Sequence, residues 1–361
     1  MRAAVCRAFG EPLVIEEVAL DPPGAGEVAV DLAACAICHS DIIFADGGWG
    51  GQLPAIYGHE AAGVVRAVGQ QGISAIKPGD HVVVTLIRSC GQCGSCAQGA
   101  PVTCETSFAR DSQSPLHRSD GAPLTQGLRT AAFAEAVVVD ASQVVVIPPS
   151  VPLDAASLLA CGVITGFGAV TNTAALRPGA TAVVIGAGGV GLNSVQGAAI
   201  SGARMVIALD VVESKLEAAR RFGATHAVNA GAADAAEQVR RLTGGRGADY
   251  VFVTVGAKAA IPQAFAMAAR SGTIVLVGMP ASGVTVAVDP GDIAHNNWRV
   301  LGSKMGGARI QADIPRLVTL YREGRLKLDE LISGRYPLAQ INEAIASSRS
   351  GAALRNVITF K

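Results

Sequence analysis

The tightest constraint on the fold lies midway along the chain. There, Gly186-Ala187-Gly188-Gly189-Val190-Gly191 follows the apolar run 181–185 and opens a helical stretch over 189–202. In a strand–turn–helix unit of this kind each glycine has a task. The first permits the tight turn, the second lets backbone N–H groups approach a pyrophosphate, and the third lets the helix pack close to the strand. The helix N-terminus adds the positive end of its dipole. Asp210, nineteen residues beyond Gly191, closes the next apolar strand. A carboxylate there accepts hydrogen bonds from a ribose 2′-hydroxyl and repels a 2′-phosphate, which favours NAD over NADP. The alternative is a glycine-rich turn in a flavodoxin-like sheet, with Asp210 capping the following helix.

Around this unit the pattern alternates strongly: strand 205–209, helix 213–222, then strands at 250–254 and 273–277. Continuous apolar strands separated by amphipathic helices predict a parallel sheet covered on both faces. Upstream, short alternating strands such as 27–32 and 81–85 make the first part mostly β, and Pro148, Pro149 and Pro152 break that pattern. Helices at 314–323 and 341–348 and a last strand at 356–360 are expected to rejoin the first part. With 361 residues, two domains are expected, one of 1–162 with 304–361 and one of 163–303, in an α/β chain.

Composition removes several function classes. Half the residues are hydrophobic, 16% are charged, and 29 cationic side chains balance 29 anionic ones, which argues against disorder and against a basic nucleic-acid or membrane-surface protein. Residues 1–11 carry charges and no apolar signal core, and the most apolar region, 181–209, is interrupted by glycines, Asn193, Gln196 and Arg204. A cytoplasmic location is expected.

Four of the eight cysteines, Cys90, Cys93, Cys96 and Cys104, form a C-x2-C-x2-C-x7-C loop with Gly91, Gly94 and Gly99 between them. Four thiolates in one compact loop suit a closed, structural zinc site; an iron–sulfur cluster and a redox cluster are the competing readings. Elsewhere Cys38-His39-Ser40-Asp41, Gly58-His59-Glu60 and Cys161 offer donors in three segments. Brought together, Cys38, His59 and Cys161 would form a two-sulfur, one-nitrogen set around zinc with an open fourth position, a Lewis acid able to ease hydride loss from an alcohol. Because 123 residues separate Cys38 from Cys161, spacing alone leaves Cys161 open to the ordinary role of a buried, inert thiol.

The chain resembles the zinc-dependent alcohol dehydrogenases of the medium-chain dehydrogenase/reductase family. The resemblance rests on Cys38-His39-Ser40-Asp41, Gly58-His59-Glu60-Ala61-Ala62-Gly63, Lys77-Pro78-Gly79-Asp80, the four-cysteine loop, Cys161-Gly162, the glycine turn and the closing Leu354-Arg355-Asn356-Val357-Ile358-Thr359-Phe360. It implies a GroES-like catalytic domain and a Rossmann cofactor domain, one catalytic and one structural zinc, and NAD. Cys38, His59 and Cys161 would hold the catalytic ion, with Glu60 close enough to exchange with water. Asp41 would fix the His59 tautomer, against the alternative of a helix-surface acid. Ser40 would take the substrate proton, against that of a helix cap. His39 and Arg355 would contact the pyrophosphate. Where many relatives carry a relay histidine this chain has Ile43, so the proton is expected to leave Ser40 through the nicotinamide ribose and water or through His39. Trp49, Leu86 and Phe133 match substrate-pocket positions and could equally be core. The polar stretch after Cys104, with Arg110, Asp111, His117, Arg118, Asp120 and Arg129, reads as a solvated loop or a binder of an anionic tail. Residues 298–302 resemble the strand that pairs two subunits, so a homodimer is expected and a tetramer is compatible. The expected substrate is a primary or secondary alcohol. The rivals are a dehydrogenase of S-hydroxymethyl thiol adducts and a non-catalytic nucleotide-binding protein.

Overall fold

The fold comes from a computed structural model, which describes residues 1–70 and 75–360. The chain divides into two units, Met1–Cys161 with Arg309–Lys361, and Gly162–Ala308. The second unit starts one residue before and ends five residues after the segment marked out by sequence. Its tail belongs there because Asn172 Nδ2 donates to the Gly306 carbonyl at 3.3 Å and the Thr165 hydroxyl reaches the Met305 sulfur at 3.7 Å.

The first unit is mostly β. Its main sheet runs 144–146, 81–85, 60–68, 27–36, 355–359, 332–337, with Ala136–Asp140 also paired to Glu27–Ala36. Valines fill 82–84 and 137–139, and these strands, like Glu27–Ala36 with its Val28, Val30 and Leu32, are buried along consecutive residues, as strands covered on both faces are. Strand Glu27–Ala36 does most to place the site. Ala36 sits opposite both Glu60 and Val357, so the chain leaves this strand toward Cys38 with the start of one neighbouring strand and the body of the other alongside. A second sheet, ordered 14–17, 2–6, 55–56, 125–126, delivers Ala55–Ile56 just ahead of Gly58-His59. Helical residues 153–160 pack on strands 27–36 and 60–68 and end at Cys161. The expected helices at the C-terminus are Ile310–Arg322 and Ile341–Arg349, and both lie in this unit.

The second unit is a six-stranded parallel sheet ordered 226–229, 205–210, 181–185, 248–253, 268–276, 299–302. Its core gathers Val183, Ile185, Ile207, Leu209, Val251, Val253 and Ile274 with helix residues such as Ala264 and Met267. The sheet is the Rossmann-type half of the α/β fold. Strand Ala268–Leu276 begins five residues earlier than its sequence pattern suggests, because Arg270-Ser271-Gly272 interrupts the apolar run without ending the strand. Among the described residues no single helix is long and apolar enough to cross a membrane.

Candidate active site

Helix His39–Ala45 starts at Cys38, whose extended backbone makes it the cap residue, and Asp41 is the third residue of its first turn. From that position the Asp41 carboxylate turns back: Oδ2 accepts the Cys38 N–H at 2.9 Å, and Oδ1 accepts the Gly58 N–H at 3.0 Å and lies 2.9 Å from His59 Nδ1. One buried acid thus ties two segments together and orients the imidazole, which excludes the helix-surface reading of Asp41. Ser40, one position past the helix start, is not the cap; its half-buried hydroxyl has no partner among the described residues. His39 is exposed at the head of the same helix, and Ile43 is half-buried on it.

Gly58 makes the approach of His59 possible. Its φ of +91° is left-handed, and a Cβ there would lie 2.5 Å from the Phe133 nitrogen and 2.7 Å from the Phe133 ring. The Phe133 side chain is among the largest that are fully buried, and it packs in the core of the first unit. Trp49 and Leu86 are half-buried, and Trp49 stands edge-on to Phe44 with ring centroids 5.1 Å apart.

Cys38, His59, Glu60 and Cys161 each offer a donor atom, and these atoms lie within 4.8 Å of one another in a wholly buried cluster. With Nδ1 held by Asp41, His59 Nε2 has no hydrogen-bond partner among the described residues. An unsatisfied buried nitrogen costs about 1–3 kcal/mol; beside two thiols and a carboxylate, it is what a ligand nitrogen looks like without its cation. The electrostatics agree. Cys161 donates to Cys38 and holds the Cys38 thiol well below its usual range, while that hydrogen bond and burial push Cys161 well above it. Burial works against a protonated His59, but Asp41 and Cys38 outweigh it and raise its pKa. Positive charge is therefore favoured at this point, and the donor set of two sulfurs and one nitrogen fits zinc.

Arg355 has a partner that the sequence reading did not foresee. It is buried, and its Nη2 is ion-paired with Glu60 Oε2. Burial lifts the Glu60 carboxyl to about 7 even though Arg355 opposes the shift. Glu60 Oε1 and Arg355 Nε both lack a hydrogen-bond partner among the described residues. The pair spans 295 residues, too far for any sequence spacing to reveal.

The other four cysteines gather in one loop, their sulfurs within 4.8 Å of one another and half-buried. Backbone N–H groups of Gln92 and Cys93 point at Cys90 Sγ, at 3.5 and 3.2 Å, and the Cys90 N–H points at Cys104 Sγ at 3.4 Å. A hydrogen bond from Thr106, followed by those of Gln92 and Cys93, pulls the Cys90 thiol down to about 6. Such N–H···S contacts favour thiolates and so favour a closed metal site.

In the second unit the glycine turn has the shape its sequence requires. Gly186 is at φ +97°, and a Cβ on Gly191 would stand 1.7 Å from the Gly186 carbonyl oxygen, so helix Gly189–Ile200 packs on the turn only because that position is glycine. Asp210 ends strand Met205–Asp210, and its carboxylate is already engaged: Oδ2 accepts the Ala187 N–H at 2.7 Å and Oδ1 the Val212 N–H at 3.0 Å. It therefore braces the turn as well as facing the end of the strand.

The description "Alcohol dehydrogenase GroES-like domain" matches residues 24–149 and "Zinc-binding dehydrogenase" matches 189–323. The chain is 38% identical to the NDMA-dependent alcohol dehydrogenase of Amycolatopsis methanolica, over 99% of this chain and 98% of the other. It is 36% identical to the class-3 alcohol dehydrogenase of Cereibacter sphaeroides, over 99% of both. The crystal structure of benzyl alcohol dehydrogenase from Acinetobacter calcoaceticus superposes with a TM-score of 0.93 at 31% identity, covering 100% of this chain and 99% of that one. With the two donor clusters and the glycine turn, these matches show that the chain belongs to the zinc-dependent alcohol dehydrogenases of the medium-chain dehydrogenase/reductase family.

Proposed function

We propose that the enzyme reversibly oxidises a primary or secondary alcohol to an aldehyde or ketone, with NAD as the hydride acceptor. The observation that carries this reading is the partnerless, buried Nε2 of His59 among Cys38, Cys161 and Glu60. Cys38, His59 and Cys161 hold the catalytic zinc, and Cys90, Cys93, Cys96 and Cys104 hold a structural one. Zinc at the first site supplies Lewis acidity, which lowers the pKa of the substrate hydroxyl. Gly186, Gly188 and Gly191 hold the NAD pyrophosphate, Asp210 the adenosine ribose, and NAD supplies the hydride acceptor.

The chain's own residues do the rest. Asp41 keeps the proton on His59 Nδ1, so that Nε2 offers its lone pair. Arg355 holds one Glu60 oxygen in an ion pair, which competes with its binding to the ion. The unpartnered Ser40 hydroxyl accepts the substrate proton, and with Ile43 unable to carry it, exposed His39 next to Ser40 passes it to solvent. Trp49 and Leu86 favour an apolar substrate. Strand Arg299–Gly302, at the edge of its sheet with Val300 exposed, is the pairing surface of a homodimer.

The thiol-adduct reading called for free cations after Cys104. Every arginine of that stretch has an acidic partner: Arg110 holds Glu27 through Nε at 2.6 Å, Arg118 holds Asp120 at 3.0 Å, and Arg129 faces Asp111 at 3.6 Å. This supports simple alcohols. The test is a panel of aliphatic and aromatic alcohols with NAD, with NADP, and with the acceptor named for the Amycolatopsis relative. NAD reduction with apolar alcohols is expected; turnover confined to formaldehyde plus a low-molecular-weight thiol would overturn the reading.

A further inference from the structure

The end of the parallel sheet where its strands begin, away from the glycine turn, carries an open cleft of about 800 Å³. Its charge is one-sided. Arg177, Arg204, Arg246, Arg270 and Arg299 line it against the single acid Asp249, a net charge of +4 in a chain whose charges sum to zero. Asp249 is already committed: Oδ2 accepts the Thr181 N–H at 2.9 Å and Oδ1 the Arg246 guanidinium at 3.1 Å. The other four arginines are exposed and have no carboxylate partner among the described residues. Helices Gly189–Ile200 and Ala235–Leu242 end shortly before Arg204 and Arg246, but a helix C-terminus offers only about half a negative charge. Four guanidiniums kept together without counter-charge repel one another, and a polyanion relieves that repulsion.

The backbone of the cleft is also unusual. Three lining residues that are not glycine, Ala175, Ser271 and Asn297, have φ of +47°, +57° and +53°. Ser271 and Asn297 brace each other: the Ser271 N–H donates to the Asn296 carbonyl at 2.8 Å, and Asn297 Nδ2 donates to Ser271 Oγ at 3.2 Å. Strained positions that surrounding contacts hold in place gather where a fold keeps a site open.

We propose that this cleft binds an oligophosphate anion carrying three to four negative charges. Planar guanidiniums match phosphate oxygens two at a time, and the volume lies within the range of about 300–1,000 Å³ typical of small-ligand sites. The inference is independent of the alcohol reading.

Calorimetric titration of the intact protein with inorganic triphosphate tests it. Saturable binding is expected, at least tenfold tighter than for inorganic monophosphate and weakening as salt is raised. Saturating NADH should leave it unchanged. The double variant Arg204→Gln/Arg270→Gln should bind triphosphate at least tenfold more weakly, with melting temperature and alcohol turnover as in the parent. A nucleoside triphosphate that binds tighter than triphosphate assigns the cleft to nucleotides, and equal binding assigns it to the free phosphate chain. Equal affinity for triphosphate and monophosphate, displacement by NADH, undiminished binding by the double variant, or binding of nucleic-acid oligomers alone would each overturn the proposal.

Discussion

The two cysteine clusters are built on opposite plans. Cys90, Cys93, Cys96 and Cys104 come from a single loop, offer only sulfur, are half-buried and have backbone N–H groups directed at their sulfurs. Cys38, His59, Glu60 and Cys161 come from three distant segments, mix sulfur, nitrogen and oxygen, and are wholly buried. The first needs local turns alone and offers an ion four equivalent donors; the second needs the whole sheet and has its one oxygen donor paired with an arginine. A set of four thiolates suits a closed structural ion, whereas a set of two thiolates and one imidazole suits an ion with an open position.

Variants can break this contrast, beginning with the largest effect. His59→Ala should lower alcohol turnover on the order of 10³-fold, the consequence of losing about 4 kcal/mol of charge stabilisation. Cys96→Ser should mainly lower the melting temperature and leave turnover of the folded fraction close to the parent. Steady-state kinetics beside thermal melts separate the two, and equal effects from both variants would erase the distinction. Arg355→Gln leaves Glu60 buried without its partner, and breaking such a pair costs about 3–5 kcal/mol. Urea unfolding reads this loss, and a cost below about 1 kcal/mol would show that the pair is solvated. Asp41→Asn should weaken zinc at the mixed site about 10–100-fold while sparing the loop site; chelator competition checks it.

The smallest effect lies outside both clusters. Burial works against the Glu27 carboxylate, but the Arg110 hydrogen bond and charge win and hold its pKa below the usual value. A carboxyl depressed in the folded state adds stability above its unfolded pKa and loses it as pH falls through the folded one. Arg110→Gln should therefore cost about 1 kcal/mol near pH 7, and the difference from the parent should vanish once the pH drops below the carboxylate range. Melting temperatures against pH measure it; a difference that persists in acid would assign the effect to packing.

The same contrast explains what could be read from sequence. The loop cluster and the glycine turn were legible because their geometry is local: cysteines three apart, and glycines whose side chains would strike the neighbouring backbone. Strands 181–185 and 81–85 were legible from apolar runs bounded by turns. Spacing did not give Cys161, which entered only through the family resemblance, since the helical segment 153–160 packed on two strands is what brings it to Cys38. The Arg355–Glu60 pair depends on strand 355–359 lying beside 27–36, a pairing no periodicity signals. Phe133 was ambiguous because an aromatic residue between two alanines looks the same in sequence whether it lines a pocket or fills a core. For Asp210 the pattern marked the acid, but not that two backbone N–H groups already occupy it.

Metal content measured beside alcohol-dependent NADH formation, in the parent and in Cys161→Ala, tests the central claim most directly. The account predicts two zinc ions per chain and turnover in the parent, and one zinc ion and no turnover in the variant. A variant that kept both ions, or kept its activity with one, would contradict it.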